Sequence, residues 1–362
     1  MAREHGPALR RGWTTGACAA AAAHAAFAAM LDGRFPDPVS IRLPRGGSAS
    51  FPLALSELSD AGARVGVVKD AGDDPDVTNG ALIIVETAWA EPGSGIRFAA
   101  GEGVGTVTRA GLSLDVGEPA INPAPRALIR GALAEAAAER GMPAPDLTVT
   151  IAIPNGARLA EKTMNARLGI VGGLSILGTT GIVVPYSCSS WVHSIHRGID
   201  VARAAGLRHI AASTGTVSER AVQRLYNLPD HALIDMGDFV GATLKYLRRH
   251  PVERLTIAGG FAKLAKLAHG HLDLHSARSR VDAGSLARLL GELGASPDTL
   301  NAARGGRGAA EILELAGAMR EALAGAVAKR AREVALATLC GNITVEVAVV
   351  DRQGGLLARV GA

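Results

Sequence analysis

The chain has 362 residues, of which 48% are hydrophobic, 20% are charged and 3% are aromatic, and its formal net charge is +4. This length exceeds the usual size of one hydrophobic core, so we expect two domains, and the composition excludes a largely disordered chain. The small positive charge favours an acidic ligand, but no basic run interleaved with aromatic residues indicates a nucleic-acid interface.

The first predicted element is a helix over the alanine-rich stretch 17–31, which Thr14 or Thr15 would cap. The free amides and the dipole at that end would also suit an anion, so a cap alone and an anion site both remain open. Twin arginines before this stretch resemble an export signal, but His24 and the weak hydropathy of alanine favour a helix instead. Three widely separated cysteines indicate a reducing compartment, so we expect a cytoplasmic protein.

The remainder of the first half is predicted to be mostly strands. β-Branched and aromatic runs bounded by turn residues predict strands at 63–69, 81–89, 95–100, 113–117 and 147–153, and a proline-opened helix at 124–140. This pattern is typical of an α+β domain, which we assign to residues 1–155. The glycine-rich, poorly periodic segment that follows is expected to join two domains.

The second half alternates strands with helices. Helices are predicted at 189–206, 217–226 and 239–250, strands at 209–214, 232–236 and 254–260, and a closing hairpin at 343–361. This alternation indicates an α/β Rossmann-like domain with a mostly parallel sheet over residues 156–362. Ligands bind at the carboxyl ends of strands in such sheets, so the loops at 213–219, 235–238 and 258–263 are expected to share one rim.

An aspartate-rich loop separates two predicted strands of the first half. The stretch "KDAGDDPD", Lys69 to Asp76, contains four aspartates and one lysine. The spacing does not fit a calcium loop of the EF-hand type. A turn needs only one or two such residues, and four carboxylates repel one another unless a cation, a positively charged ligand or arginines compensate, so their density weakens the interpretation as a simple turn.

Two further motifs each allow more than one interpretation. "GEGVG", Gly101 to Gly105, is a poor dinucleotide fingerprint and predicts a turn that admits a ligand or another backbone. The histidines at 269, 271 and 275 and Asp273 alternate, so an extended chain would place all four on one side for a metal or an anion, whereas a helix would scatter them. No phosphate-binding loop of the GxxxxGK type is present.

Six segments together resemble one known family, the CbiD family of cobalamin biosynthesis. They are "RRGWTTGACAAAA", "VVKDAGDDPDVTNGA", "GEGVGTVTRAGL", "VGEPAINPAPR", "GGLSILGTTGIV" and "AGGFAKLAKLAHGHLDLHS". The segments occur in order across nearly the whole chain, so the match is more specific than any single motif. The resemblance implies transfer of a methyl group from S-adenosylmethionine to ring carbon C1 of a tetrapyrrole, cobalt-precorrin-5B, in which cobalt belongs to the substrate and no resident metal is needed.

Given the reaction that this resemblance implies, the residue types and their places in the predicted elements suggest roles for particular residues. Carboxylates that would stabilise the cationic donor or a charge on the macrocycle, or remove a proton, are Asp70, Asp73, Asp74, Asp76 and Glu102. Residues that would hold the donor at the strand ends of the second domain are Thr214, Gly215, Glu219, Gly259 and Gly260, with Glu219 accepting ribose hydroxyl groups. Residues that would contact the carboxylates of the macrocycle are Thr14, Thr15, Lys69, Lys263, Lys266, His271 and His275.

Two other functions remain open at this point. A nicotinamide-dependent reductase would use the same second-half architecture but needs a proper G-x-G-x-x-G fingerprint, and a non-catalytic corrinoid carrier would also need a basic site. In each case the partner is a small-molecule tetrapyrrole rather than a nucleic acid or a membrane. A homo-oligomer is also possible.

Overall fold

The computed structural model describes residues 9–361, and the chain divides into two compact units, one ending at Cys188 and one beginning at Ser189. The division falls later than the boundary after residue 155 that the sequence suggested. The chain after residue 155 returns to the first unit, because Ile170–Val171 pairs with Thr106–Val107 and Ile182–Val183 pairs with Gly12–Trp13. The glycine-rich segment therefore belongs to the first unit instead of joining two domains.

The first unit combines short and long strands with a few helices. Its elements are β1 (Gly12–Trp13), α1 (Thr15–Asp32), β2 (Val39–Arg42), β3 (Ser48–Phe51), β4 (Leu55–Ser59), β5 (Gly62–Val68), β6 (Leu82–Trp89), β7 (Ile96–Ala100), β8 (Thr106–Val107), α2 (Pro123–Ala138), β9 (Leu147–Ala152), α3 (Gly156–Ala160), β10 (Ile170–Val171) and β11 (Ile182–Val183). The main sheet has the order β4-β5-β6-β9-β7, in which only the β9–β7 pair is parallel.

Helix α1 lies at the centre of the first unit. It contacts α2 on one side and β5 and β6 on another, and every residue from Thr15 to Ala29 is buried. Alanine has the smallest side chain that still favours a helix, so α1 can be enclosed by its neighbours without a wide gap. The predicted helix is confirmed as part of the core. In the part of the chain that the structure describes, no helix has both the length and the apolar character needed to cross a bilayer.

The predicted strand at 113–117 is wrong. The described residues form isolated bridges at Leu112 and Pro119, on either side of this stretch, and Gly111 and Gly117 both have positive φ values, which bend the chain into turns. Leu114 is buried with Val107 in a small cluster. The need for a buried leucine here explains the strand-like sequence pattern, although no strand forms. The hairpin of β2 and β3 and the strand β4 were not predicted, because their runs are short and polar on one side.

The second unit has the predicted alternation of strands and helices. Its elements are α4 (Cys188–Ala204, which begins at the division), β12 (His209–Ser213), α5 (Thr216–Tyr226), a 3-10 turn (Asp230–Ala232), β13 (Leu233–Asp235), α6 (Val240–Arg249), β14 (Arg254–Gly260), α7 (Phe261–Ala268), α8 (Ala283–Glu292), α9 (Pro297–Arg304), α10 (Ala309–Leu315), a 3-10 turn (Gly317–Met319), α11 (Arg320–Leu339), β15 (Thr344–Val350) and β16 (Leu356–Val360).

The sheet of the second unit is mostly parallel. Its order is β13-β12-β14-β15-β16, and only β16 runs antiparallel to its neighbour. Alternate residues of β12 face opposite sides, with Ile210 and Ala212 in the large core and Ala211 in a smaller core that includes Val222 of α5. Helices therefore cover both faces. The chain passes from β12 to β13 on one side and then to β14 on the other, which creates a topological switch point at the carboxyl ends of β12 and β14.

Backbone contacts between glycines fix the turn after β7 in the first unit. A Cβ atom at Gly103 would lie 2.1 Å from the carbonyl oxygen of Ile153, and Cβ atoms at Gly156 and Gly173 would lie 2.3 Å and 2.2 Å from the carbonyl oxygen of Gly103. Of the two interpretations of the "GEGVG" turn, the close approach of another backbone is the one that the geometry provides.

We predict that Gly103→Ala destabilises the protein by about 3 kcal/mol or more, because Gly103 also has a φ of +71° that a side chain strains. Thermal and urea unfolding would measure the effect. Gly131→Ala is the matched control, since a Cβ at Gly131 in α2 would meet nothing within 4 Å and alanine favours a helix. Equal stability of Gly103→Ala and the wild type would contradict the predicted backbone packing.

Candidate functional site

A buried ion pair anchors the aspartate-rich loop between β5 and β6. The side chain of Lys69 is only 3% exposed, and its ammonium donates hydrogen bonds to Asp76 Oδ2 at 2.5 Å and to Thr78 Oγ1 at 2.6 Å. The other oxygen of Asp76 accepts from the amide and the hydroxyl of Thr78. Lys69 is therefore committed to holding its own loop closed.

The segment before β1 supplies a second cation to the same loop. Arg10 forms a bidentate ion pair with Asp70, and its backbone amide donates to Asp73 Oδ2 at 2.6 Å. The hydrogen bonds from Arg10 and from the amide of Gly72 hold the pKa of Asp70 below its ordinary value. A Cβ on Gly12 would lie 2.0 Å from the backbone of Ala71, so the two segments are in direct contact.

The fourth aspartate also has a partner within the chain, since Asp74 Oδ1 accepts a hydrogen bond from the amide of Tyr186 at 2.8 Å. Each of the four carboxylates thus meets a cation or an amide of the first unit. The cation that the sequence required is provided at least in part by Lys69 and Arg10 themselves. Arg10 gave no signal in the sequence, because it is distant from the loop along the chain.

The amino-terminal end of α1 is capped from within the chain. Thr14 is the cap residue, and its hydroxyl accepts from the amide of Ala17 at 3.2 Å. The amide of Gly16 donates to the carbonyl oxygen of Leu177 at 3.1 Å, and Thr14 and Thr15 are both buried. The prediction that one of these threonines caps the helix is confirmed, and the contacts favour a cap over an anion site.

Glu102 differs from the aspartates. Its side chain is exposed on the turn that the close contacts of Gly103 fix, while its backbone carbonyl accepts from the amide of Ile153 at 2.7 Å. No hydrogen bond or ion pair of its carboxylate occurs within residues 9–361. A rigid backbone therefore presents an uncommitted carboxylate to its surroundings.

In the second unit, Lys263 connects the loops at the carboxyl ends of the parallel strands. Its ammonium donates to the carbonyl oxygen of Thr214, after β12, at 2.8 Å, and pairs with Asp238, after β13, at 3.1 Å. Lys263 itself lies in the first turn of α7, which follows β14 directly. The prediction that the three loops share one rim is confirmed.

The residues proposed for the donor meet at this rim but have different surroundings. Cβ atoms at Gly215 and Gly260 would meet no atom of residues 9–361 within 4 Å, whereas a Cβ at Gly259 would lie 2.7 Å from Thr214 Oγ1. Gly215 and Gly260 therefore border open space. Position 259 has to be glycine, because a side chain there would collide with Thr214. Glu219 lies in the first turn of α5 and is only 5% exposed.

Three rim residues were missed in the sequence. Ser213 ends β12 with a fully buried hydroxyl that has no hydrogen-bond partner among the described residues. Asp235 ends β13 directly beside Ser213 in the parallel register. Trp191 of α4 donates from its indole nitrogen to the carbonyl oxygen of Asp235 at 3.2 Å. A signal for Asp235 was available, since an acidic residue about 20 positions after the glycine turn is typical of nucleotide-binding sheets.

The alternating histidine motif is neither one strand nor one helix. α7 ends at Ala268, His269 follows as its cap, and the chain then turns, so the four side chains do not form one row. Asp273 pairs with Arg278 at 2.7 Å. Between residues 9 and 361, no three Cys, His, Asp or Glu side chains are arranged to hold a metal ion.

The basic residues near this motif differ in how accessible they are to a ligand. Lys266 is buried and donates to the carbonyl oxygen of Leu274 at 2.7 Å, so it serves the packing of its own loop. His275 is exposed and its Nδ1 accepts from the amide of Ala277, while His271 is partly exposed. Of the three predicted substrate contacts in this segment, Lys266, His271 and His275, the two histidines are the ones accessible to a ligand.

Comparisons with known proteins agree on one family. The family model described as CbiD matches residues 2–185, and the one described as CbiD, C-terminal domain, matches residues 273–361. The cobalt-precorrin-5B C(1)-methyltransferase of Brucella canis is 57% identical over 353 residues, which cover 97% of this chain and 96% of that protein. The protein of the same name from Brucella anthropi is 56% identical with the same coverage.

A solved structure is also similar. The crystal structure of the cobalamin biosynthesis protein CbiD from Archaeoglobus fulgidus shows 30% sequence identity, covers 75% of this chain and 83% of its own, and has a TM-score of 0.39.

We predict that Asp76→Asn destabilises the protein by about 3 kcal/mol at pH 7, because it leaves the ammonium of Lys69 buried without its counter-charge. Burial raises the pKa of Asp76, but Lys69 and the hydrogen bonds from Lys69 and Thr78 lower it more, so the net pKa is below the ordinary value. The contribution of Asp76 is then complete above about pH 5, one unit above the ordinary pKa of an aspartate, and is lost as the pH falls through the lowered pKa.

Urea unfolding between pH 7 and pH 3 would measure this effect. The stability difference between wild type and Asp76→Asn should be constant down to about pH 5 and should shrink below about pH 4. Asp115→Asn, at an exposed position of the same unit, serves as the control and should change little. A difference that grows with falling pH would contradict the ion pair.

Proposed function

The chain belongs to the CbiD family, and from this premise we propose that it is a cobalt-precorrin-5B C(1)-methyltransferase of cobalamin biosynthesis. The observation that carries the proposal is the match to curated relatives of that name at 57% identity over 97% of the chain. The reaction adds one methyl group to carbon C1 of the cobalt-containing macrocycle, and cobalt is a part of the substrate.

Neither alternative function gains support. A nicotinamide-dependent reductase needs a glycine-rich dinucleotide turn. Gly103 of "GEGVG", however, is packed against the backbone of Ile153, so its lack of a side chain serves internal packing. A non-catalytic carrier needs no second substrate, whereas the rim of the second unit has open space beside Gly215 and Gly260.

We place the methyl donor, S-adenosylmethionine, at this rim, where a Rossmann-like sheet would bind its ligand. The residues fit such a group in three respects. Gly215 and Gly260 leave room for a ligand near the backbone. The hydroxyl of Ser213 is buried and has no hydrogen-bond partner within residues 9–361, and the rim lies at a topological switch point, where open parallel sheets bind ligands. Thr214 is held by Lys263, so the turn after β12 is fixed before a ligand arrives.

The macrocycle carries acetate and propionate groups, which basic side chains would hold. Of the residues suggested for this role, Lys69 and Lys266 are buried in hydrogen bonds of their own loops. His271 and His275 are more accessible, and we assign the contacts with substrate carboxylates to them. The exposed side chains and short loops near them can adapt to a large ligand.

The chemistry requires positioning more than proton transfer. The bound donor supplies an electrophilic methyl group on a positively charged sulfur. The chain must align the nucleophilic ring carbon with it and exclude water. We assign the remaining task, acceptance of a proton or stabilisation of a positive charge on the macrocycle, to the uncommitted carboxylate of Glu102. Asp70, Asp73 and Asp74 support this chemistry indirectly, because their carboxylates hold the loop in place.

We place the reaction in the cytoplasm. Cys18, Cys188 and Cys340 are all free thiols, as expected in a reducing compartment.

We predict that Gly215→Ala weakens the binding of S-adenosylhomocysteine about tenfold or more, because the added methyl group would occupy space at the rim. The backbone of Gly215 is extended (φ 166°), so alanine should not strain the fold. Isothermal titration would measure the dissociation constant. Gly325→Ala in α11 is the matched control, since a Cβ there also meets nothing within 4 Å and lies far along the chain from the rim. Unchanged binding by Gly215→Ala would remove this turn from the site.

We predict that Glu102→Gln lowers the rate of methyl transfer about 100-fold while the free energy of unfolding changes by less than about 0.5 kcal/mol, since the side chain is exposed and the change removes only a charge. Single-turnover assays with labelled donor, together with urea unfolding, would test both. Glu91→Gln, another exposed glutamate of the first unit, should leave the rate unchanged. A wild-type rate for Glu102→Gln would exclude it from the reaction.

A further inference from the structure

Asp235 occupies the position of a ribose-binding carboxylate in the second unit. It is the last residue of β13, the strand adjacent to β12, and it is in register with Ser213 at the end of β12. It follows Gly215, the cap of α5, by about 20 residues. In doubly wound sheets an acidic residue at this place accepts hydrogen bonds from ribose hydroxyl groups. Glu219, which the sequence favoured for this role, is instead buried in the first turn of α5.

Trp191 lies directly beside this carboxylate. Its indole nitrogen donates to the backbone carbonyl of Asp235, which fixes the ring at the end of β13. The residue nevertheless remains 46% exposed. The backbone of Gly237, with a φ of +53°, runs along the ring, so that a Cβ there would lie 3.5 Å from the indole nitrogen. A large, fixed and partly exposed aromatic ring at a strand end is suited to contact a planar base.

The charge at the end of β13 distinguishes the methyl donor from the macrocycle. Asp235 ends β13 and Asp238 lies in the loop that follows, where Lys263 is paired with Asp238. Carboxylates would repel the acetate and propionate groups of a macrocycle, whereas they attract a cationic sulfonium compound and accept hydrogen bonds from neutral sugar hydroxyls. Because Lys263 offsets the charge of Asp238, the carboxylate of Asp235 is the group that favours a nucleoside over the tetrapyrrole at this strand end.

We propose that Trp191 and Asp235 form the nucleoside subsite of the second unit, with the indole against the adenine and the carboxylate accepting the ribose hydroxyls of the donor. The assignment rests on the proposed function, because it names the residues that bind the nucleoside part of the methyl donor. It replaces Glu219 as the ribose acceptor and adds a base-binding residue that no motif of the sequence indicated.

Fluorescence gives a direct test with the full-length protein and S-adenosylhomocysteine as the probe. Binding should change the tryptophan emission of the wild type, and Trp191→Phe should lose most of that change. Trp89→Phe, which removes another half-exposed tryptophan in the first unit, should keep it. A full emission change in Trp191→Phe would overturn the contact between Trp191 and the base.

Dissociation constants of single variants test the roles of Trp191 and Asp235 independently. Trp191→Ala should raise the dissociation constant of S-adenosylhomocysteine at least about tenfold, and Trp191→Phe should raise it less, because phenylalanine keeps an aromatic face. Asp235→Asn should raise it about tenfold, and the effect should fall below about threefold for the 2′-deoxy analogue, which lacks one of the hydroxyls. Equal losses with both ligands would overturn the ribose assignment. Thermal unfolding of each variant verifies that the fold is retained.

These binding measurements distinguish an error in the nucleoside subsite from an error in the proposed function. If the wild type binds S-adenosylhomocysteine, Gly215→Ala weakens that binding, and the changes at Trp191 and Asp235 do not, the donor site stands and the nucleoside subsite is wrong. If the wild type does not bind S-adenosylhomocysteine with or without the macrocycle, the proposed function fails and the subsite fails with it.

Discussion

Lysine ammonium groups fix the loops at the strand ends in both units, and the candidate sites depend on this constraint. In the first unit, Lys69 is buried and holds Asp76 and Thr78. In the second unit, Lys263 joins the loops that follow two parallel strands by binding Thr214 and Asp238. A buried or half-buried ammonium must be paired, so each lysine organises the polar groups around it before any ligand is present.

This internal pairing changes the meaning of the aspartate-rich loop. Four neighbouring carboxylates suggest a bound cation, but Arg10 and Lys69 provide positive charge from within the chain, and an amide holds Asp74. The loop is therefore organised as a scaffold, and the uncommitted carboxylate of Glu102 is the better candidate for chemistry. In the second unit, Lys263 fixes the turn after β12 in place, and open space lies beside Gly215 in the same turn.

The sequence predicted the long elements well because their periodicity is strong. The α1 helix and the alternation from β12 to β14 follow directly from composition and pattern. It could not predict contacts between residues distant along the chain, such as Arg10 with Asp70 or Trp191 with Asp235, because no local pattern records them. The segment after residue 155 was assigned to a linker for the same reason, since its short strands pair with distant partners.

The proposed methylation of carbon C1 of cobalt-precorrin-5B can be measured directly. The purified protein would be incubated with that macrocycle and S-adenosylmethionine carrying a ¹³C-labelled methyl group, and the product would be analysed by NMR. We expect a single new labelled methyl group attached to C1. A label at any other carbon, or no transfer while the protein binds both compounds, would contradict it.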